Sequence, residues 1–373
     1  MRVSLVDPSA FTPPYDRSLA AALARAGAEV ELVTSEFQYG PVPPAEGYSV
    51  RESFYGLSNR LATGSRLRLP LKALEHGPEM LRFGPRGRRA DVVHWQWVTI
   101  PAVDRFLVAA AGRPRVLTLH YPLPSAMNAE AIRRERRFLA AFDAVVAHTE
   151  HGAARLRSEF GLDADHVHVI PHGPLDYLTR MRDARPLPTE LAGAPAGVPV
   201  ILFFGLLRPY NGIDTLLEAF AALGETDAEL WIAGMPRMEI GPLEIIADRA
   251  RGTVRWLPRF VTDDEIPALF ERADVLALPY REIEQSGVLH AGLAFGKAMV
   301  LGDVGGFGEI GREGAAALVP PGDPVALAET LQRLIDDHEE RARLASAARG
   351  AAQGERGWDA IAERTLALYR SLR

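Results

Sequence analysis

The sequence predicts an α/β fold of two Rossmann-like domains, each a parallel sheet with helices on both faces. Three observations carry this. Short β-branched runs alternate with amphipathic stretches along the whole chain. A length of 373 residues exceeds what one ordinary core accommodates. Residues 181–198, rich in Pro, Gly and Ala and lacking either period, read as a linker between two such series.

In the first series the spacing predicts a strand over 3–6, then a helix whose face is Leu19, Ala22, Leu23 and Ala26 and whose C-cap is Gly27, then a strand over 30–33. Further strands are expected over 91–94, 115–119, 144–147 and 167–170. Between the last two, Thr149 caps a helix that Gly161 ends. After the linker come a strand over 200–204, a helix over 213–223 with Ile213, Leu216, Leu217, Phe220 and Leu223 on one face, and a strand over 229–233. Strands over 254–257, 274–278 and 299–301 and a helix over 325–335 continue the series. A last helix over 358–372 carries Ile361, Leu366, Ala367 and Tyr369, with no partner evident from the pattern.

Composition limits the function classes. Hydrophobic residues at 47% and charged residues at 24% are those of a soluble globular protein. With no cysteine there is neither a disulfide framework nor a thiolate metal site. The N-terminus holds too short an apolar run for a signal peptide, and the longest such run, 198–207, is far below the roughly 20 residues of a spanning helix, so a cytoplasmic protein is expected. Residues 1–180 carry a net charge of +3 and the remainder −9, which hints at an anionic acceptor or surface on the N-terminal side. Basic runs at Arg86, Arg88 and Arg89 and at Arg133, Arg134, Arg136 and Arg137 admit weak contact with an anionic membrane surface, although solvated faces are the commoner outcome of such runs.

Two segments carry candidate chemistry. In 203–220 a buried strand ends at Gly205, and a loop with Arg208 leads to a helix beginning near Gly212. Backbone N–H groups, a helix dipole and a forked cation there suit a diphosphate. In 281–310 a strand ending at Pro279 passes into a polar turn with Glu284, Gln285 and Ser286 before an apolar helix. The Glu284 carboxylate accepts from sugar hydroxyls, and the N–H groups of Ser286, Gly287 and Val288 donate to phosphate. The plain alternative for both is turn and capping chemistry. Among ten histidines, His94, His166 and His168 read as packed or solvated, His172 as shaping the chain before the linker, and His290 as core. His120 follows a strand at the edge where open α/β sheets bind ligands, and Tyr121-Pro122 comes next. No Gly-x-Gly-x-x-Gly follows the first strand, against a dinucleotide oxidoreductase. No metal-ligand spacing is present, so no metal is implied.

Residues 205–212 and 284–296, followed by Gly305-Gly306-Phe307-Gly308-Glu309, resemble the retaining GT-B glycosyltransferases of family 4 (glycosyl transferases group 1). Thr118-Leu119-His120, Thr149-Glu150 and Ile170-Pro171-His172-Gly173 extend the resemblance over the whole chain. It implies a GT-B fold whose two domains face each other across a cleft: 1–185 on the acceptor side, 186–355 binding the nucleotide sugar, and 356–373 as a helix crossing back to the first domain. The implied activity is metal-independent hexosyl transfer from a nucleotide diphosphate sugar, a co-substrate rather than a cofactor, to a sugar, lipid or small-molecule acceptor. No nucleic-acid partner is implied. His120, Arg208 and Glu284 take the catalytic places, with Gly205, Asn211, Gln285, Ser286, Gly287 and Val288 in the donor site.

The sequence departs from the family pattern in three places. Leu206 and Asn211 stand where the family has arginine and lysine, leaving Arg208 as the loop's cation. Ala291 or Gly292 replaces the second glutamate of the Glu-x7-Glu signature. Thr12-Pro13-Pro14-Tyr15-Asp16 replaces a glycine pair in the first loop. These departures keep a non-catalytic nucleotide-sugar-binding subunit open as an alternative, beside a nucleotide-sugar epimerase of the same fold.

Overall fold

The computed structural model describes residues 1–120, 127–223 and 226–373, so Tyr121-Pro122 lie outside the described residues. The chain divides into two compact units, Met1–Gly173 with Gly357–Arg373, and Pro174–Arg356. Both are α/β with parallel sheets.

The first sheet comprises β1 (Arg2–Asp7), β2 (Glu29–Ser35), β3 (Ser49–Phe54), β4 (Val92–Trp95), β5 (Arg115–Thr118), β6 (Ala144–Ala147) and β7 (Val167–Val169) in the order β3-β2-β1-β4-β5-β6-β7. The second comprises β8 (Val200–Phe204), β9 (Glu229–Ala233), β10 (Thr253–Leu257), β11 (Val275–Leu278), β12 (Ala298–Gly302) and β13 (Ala317–Val319) in the order β10-β9-β8-β11-β12-β13. In each sheet the strand order reverses at the first strand, opening a crevice beyond the carboxyl ends of β1 and β4, and of β8 and β11. Such reversals are where open α/β sheets take ligands.

The interior strands are continuous apolar runs because helices cover both of their faces. Two elements absent from the sequence reading have physical reasons for their silence. β3 is an edge strand with mostly exposed side chains, Arg51 and Glu52 among them, and only Phe54 buried. The helix Arg68–Gly87 contains Pro78 and Pro85, which break its pattern, yet buried His76, Met80 and Phe83 hold it to the sheet.

The domain boundary also differs from the expected one. Residues 174–185 belong to the second unit, and 181–198 are no free linker. Leu178 and Leu191 are buried in the second core, and Arg185 N donates to Asp264 O at 2.7 Å. Proline and glycine there shape a packed excursion. The last helix, Trp358–Ser371, belongs to the first unit and finds its partner in the helix Pro13–Arg25. Trp358, Ile361, Leu366 and Tyr369 share a core with Leu19 and Leu23, and Arg25 grips Asp359 through two bonds of 2.6 and 3.2 Å. Among the described residues no helix is long and apolar enough to cross a membrane.

Candidate functional site

In the second unit the loop after β8 and the turn after β11 are knitted together at the crevice. Gly212 adopts a left-handed φ of +69°, and a Cβ there would lie 2.1 Å from the Pro279 carbonyl oxygen, so only glycine lets the backbones meet. Arg281 N donates to Tyr210 O at 2.8 Å, and its guanidinium reaches Asp214 Oδ2 (2.7 Å) and Thr215 Oγ1 (2.8 Å). Arg281 is therefore engaged, while Arg208 remains half-buried at the crevice, touching the Tyr210 hydroxyl.

The polar turn is held from behind. Gly305, at φ +48°, passes so close that a Cβ would lie 1.7 Å from Ile283 O, and Gly306 N donates to Glu284 O at 3.1 Å. Ser286 caps the helix Gly287–Ala294, its Oγ accepting from Val288 N at 3.2 Å. Val288 Cγ2 stands 3.2 Å from where a Gly205 side chain would begin, and Tyr280 Oη stands 3.7 Å from it. Gly205, Arg208, Glu284, Gln285, Ser286, Gly287 and Val288 thus gather at one edge around a helix N-terminus, whose partial positive charge favours anions. Gln285 Oε1 is buried without a hydrogen-bond partner among the described residues.

Asn211 behaves otherwise. It is 4% exposed, and its Nδ2 donates to Leu206 O at 2.8 Å inside the loop, leaving Oδ1 buried and without a partner among the described residues. Asn211, expected in the donor site, braces from within the loop that carries Arg208. Glu284 is half-buried on the turn.

His120 lies in the first unit, at the carboxyl end of β5, within a cluster of residues far apart in the chain. His148 follows β6, His172 follows β7, and Tyr15 reaches all three from the helix Pro13–Arg25, with ring centroids 4.6 Å (His120), 5.4 Å (His148) and 4.7 Å (His172) apart. Trp97, beyond β4, stacks on His120 at 5.5 Å, and Trp358 closes the far side of Tyr15 at 5.2 Å. His172, expected only to shape the chain, is a member of this cluster, and His148 joins it without any local sequence signal. Each sits at a strand end, a signal that appears only once the strands are aligned. His94 is packed as expected, between the Tyr369 hydroxyl (2.6 Å) and Thr118 Oγ1 (2.7 Å).

Burial is the leading cause that pushes these imidazoles down, His148 to about 4, His94 and His172 to about 3, and His120 well below 6.5. All are neutral at pH 7, which fixes the hydrogen-bond directions. His148 Nδ1 donates to Ile170 O (2.9 Å), so its Nε2 accepts from His120 Nδ1 (3.3 Å). His120 Nε2 faces Gln96 Oε1 at 3.0 Å, and turning that amide over lets its Nε2, without a partner as placed, donate to the imidazole. His120 is a fixed neutral imidazole and not a free base.

Beneath the first loop, Asp7 and Asp16 are both buried. Burial raises both carboxyls, and repulsion from Asp7 raises Asp16 further, so Asp16 donates its proton to Asp7. Asp7 Oδ2 also accepts from Phe11 N (2.6 Å) and Thr12 N (3.2 Å), and Trp97 Nε1 donates to Thr12 Oγ1 (2.8 Å). The proline-containing loop is pinned to the sheet. The basic runs are less free than the sequence suggests: Arg86 forks onto Glu31 at 2.7 and 2.9 Å and Arg88 donates to Ala110 O, whereas Arg133, Arg134, Arg136 and Arg137 are exposed.

Comparisons with known proteins agree with this architecture. A family model described as Glycosyltransferase Family 4 matches residues 16–174, and one described as Glycosyl transferases group 1 matches 198–337. The chain is 29% identical to a D-inositol 3-phosphate glycosyltransferase of Pseudarthrobacter chlorophenolicus over 95% of this chain and 89% of that one. It is 27% identical to an MMP alpha-(1->4)-mannosyltransferase of Mycolicibacterium hassiacum over 76% of this chain and 71% of that one. Among solved structures it resembles HepE of Anabaena in complex with UDP and glucose, with a TM-score of 0.71, 20% identity and full coverage of both chains. It also resembles sucrose-phosphate synthase of Thermosynechococcus elongatus, with a TM-score of 0.70, 21% identity and coverage of 100% and 99%.

Proposed function

Since the chain belongs to the family 4 glycosyltransferases and has their GT-B fold, we propose that it transfers a hexose, with retention, from a nucleotide diphosphate sugar bound by the second unit to a phosphorylated polyol bound by the first. The observation that carries the donor half is the convergence of the Gly205–Arg208 loop and the Glu284–Val288 turn at the β8–β11 crevice. A leaving diphosphate gains charge as the glycosidic bond breaks. Arg208 and the N-terminus of the helix Gly287–Ala294 then act where charge develops, so their stabilisation is greatest in the transition state and no metal ion is required in that place. Glu284 orients sugar hydroxyls, and Gln285 offers its unpartnered oxygen to another.

Two observations support the acceptor class. The similar Pseudarthrobacter chlorophenolicus enzyme is named for an inositol phosphate. In this chain Lys72, one of two lysines, extends its ammonium over the Tyr55 ring (4.4 Å) and toward Phe11 (5.8 Å), with no carboxylate in ion-pair range among the described residues. The other lysine, Lys297, is spent on the carbonyls of Glu271 and Ala273.

A panel of nucleotide sugars that includes UDP-glucose, screened by thermal shift and then by donor turnover, tests the donor half. Binding without turnover would return the non-catalytic reading. His120→Gln is expected to keep the fold and nucleotide affinity, because the residue lies in the other unit, while transfer falls roughly tenfold or more through loss of a positioned hydrogen bond. Wild-type transfer would remove His120 from the site. Weak docking on anionic bilayers rests on the four exposed arginines of the helix Ala129–Leu139. Low-salt sedimentation with anionic vesicles, lost when these become serine, is the expected result; equal pelleting of the variant would exclude it.

A further inference from the structure

Away from the imidazole cluster, a chain of buried hydrogen bonds runs through the first unit to the β1–β4 crevice and is unused by the scheme above. Asp104 is fully buried. Its Oδ2 accepts from the backbone N–H of Thr99 (3.0 Å) and Ile100 (2.7 Å), and its Oδ1 lies 2.5 Å from His76 Nε2. His76 Nδ1 is 2.7 Å from the Tyr55 hydroxyl, which reaches Thr99 Oγ1 at 2.9 Å, and Thr99 Oγ1 is 2.9 Å from Ser9 Oγ. Five side chains from four segments thus form one line. Its inner end is a saturated carboxylate, and its outer end is a pair of half-buried hydroxyls at the ligand edge.

This arrangement is costly. Tyr55 is buried at a φ of +59°, a conformation that costs a non-glycine residue on the order of 1–2 kcal/mol, and Glu79 anchors its N–H at 2.7 Å. A buried His–Asp pair is no better for stability than apolar residues of the same volume. The line therefore needs a reason beyond packing. The hydroxyls of Thr99 and Ser9, 2.9 Å apart, can turn together between two settings, Thr99 donating to Ser9 or Ser9 donating to Thr99. Ser9 offers a ligand a proton in one and a lone pair in the other. A ring hydroxyl, donor and acceptor at once, can meet either setting.

We propose that Ser9 and Thr99 form a subsite for a ring hydroxyl of the acceptor, and that Tyr55, His76 and Asp104 are the positioning residues that hold this pair in place. The subsite sits beside the Phe11–Trp97 ring pair, whose centroids are 5.0 Å apart, and hence next to His120 on the same edge. It rests on the reading that the first unit holds the acceptor, and it adds that the acceptor is chosen by a hydroxyl as well as by its anionic group.

The test compares inositol monophosphate with cyclohexyl phosphate, which share a six-membered ring and a phosphate and differ in the hydroxyls. Binding is followed by ligand-detected NMR on the full chain. Wild type is expected to favour the inositol compound roughly tenfold or more, the value of a well-placed hydrogen bond. Thr99→Val and Tyr55→Phe should reduce that preference to about twofold while leaving cyclohexyl phosphate affinity unchanged, and Thr99→Ser should restore it. A purely structural role would weaken both probes alike, and full preference in Thr99→Val would overturn the subsite. If neither phosphate binds wild type, the phosphorylated-acceptor reading fails on its own. The same variants with inositol and cyclohexanol then decide the subsite, and the absence of any preference would overturn it.

Discussion

Arg208→Ala is expected to lower turnover on the cognate nucleotide sugar by roughly 10²-fold or more while weakening ground-state nucleotide binding far less. Removing one charge-assisted contact to developing oxyanion charge costs several kcal/mol, because the donor is preorganised where that charge appears. Arg208 meets the condition structurally: the braced loop from Gly205 to Gly212 holds it half-buried at the crevice, touching the Tyr210 hydroxyl. The neighbouring Arg281 is no substitute, tied as it is to Asp214 and Thr215. Single-turnover rates at saturating donor isolate this term. A loss confined to KM would make the contact one that serves substrate and transition state equally.

Acidification from pH 7 to pH 5 is expected to cost the first unit several kcal/mol. His94, His148 and His172 titrate at about 3, 4 and 3 in the folded protein, against 6.5 when solvated. A base with a depressed folded pKa contributes its full stability above the unfolded value. That contribution is lost as pH falls through 6.5 toward the folded value, because only the unfolded chain takes up the proton. At pH 5 the cost is about 2 kcal/mol per imidazole, about 6 kcal/mol for the three, and His120 acts in the same direction. The Asp7–Asp16 pair opposes this. Its raised carboxyls favour the folded state at low pH and lose that contribution as pH rises through the carboxylate range, so the net loss is smaller than the imidazole sum. Urea melts at pH 7, 6 and 5 check it. A flat profile would mean that these imidazoles are hydrated in solution.

What was readable in the sequence follows burial and locality. β6, β8 and β9 stand at their expected residues because strands covered on both faces are uninterrupted apolar runs bounded by turn residues. The Gly205 loop and the Glu284–Val288 turn were readable for a related reason, since strand, glycine turn and helix start are contiguous in sequence. β3 was silent because an edge strand has a polar side, and the helix Arg68–Gly87 because two prolines break its period. Residues 181–198 looked like a linker because composition cannot show that Leu191 is buried. Asn211 carries the same lesson at one residue: its position in the loop was evident, but its inward direction is set by the Leu206 carbonyl. His148, and the line from Asp104 to Ser9, join residues far apart in the chain. No local pattern announces them.

Retaining transfer from a nucleotide sugar is decided by the anomeric configuration of the product. With the donor that the nucleotide-sugar panel selects, nucleoside diphosphate release and the product's anomeric proton coupling are followed together by NMR. Release matched by product is expected, with the new bond in the same configuration as the donor's. An inverted product, or no turnover with any nucleotide sugar, would contradict it.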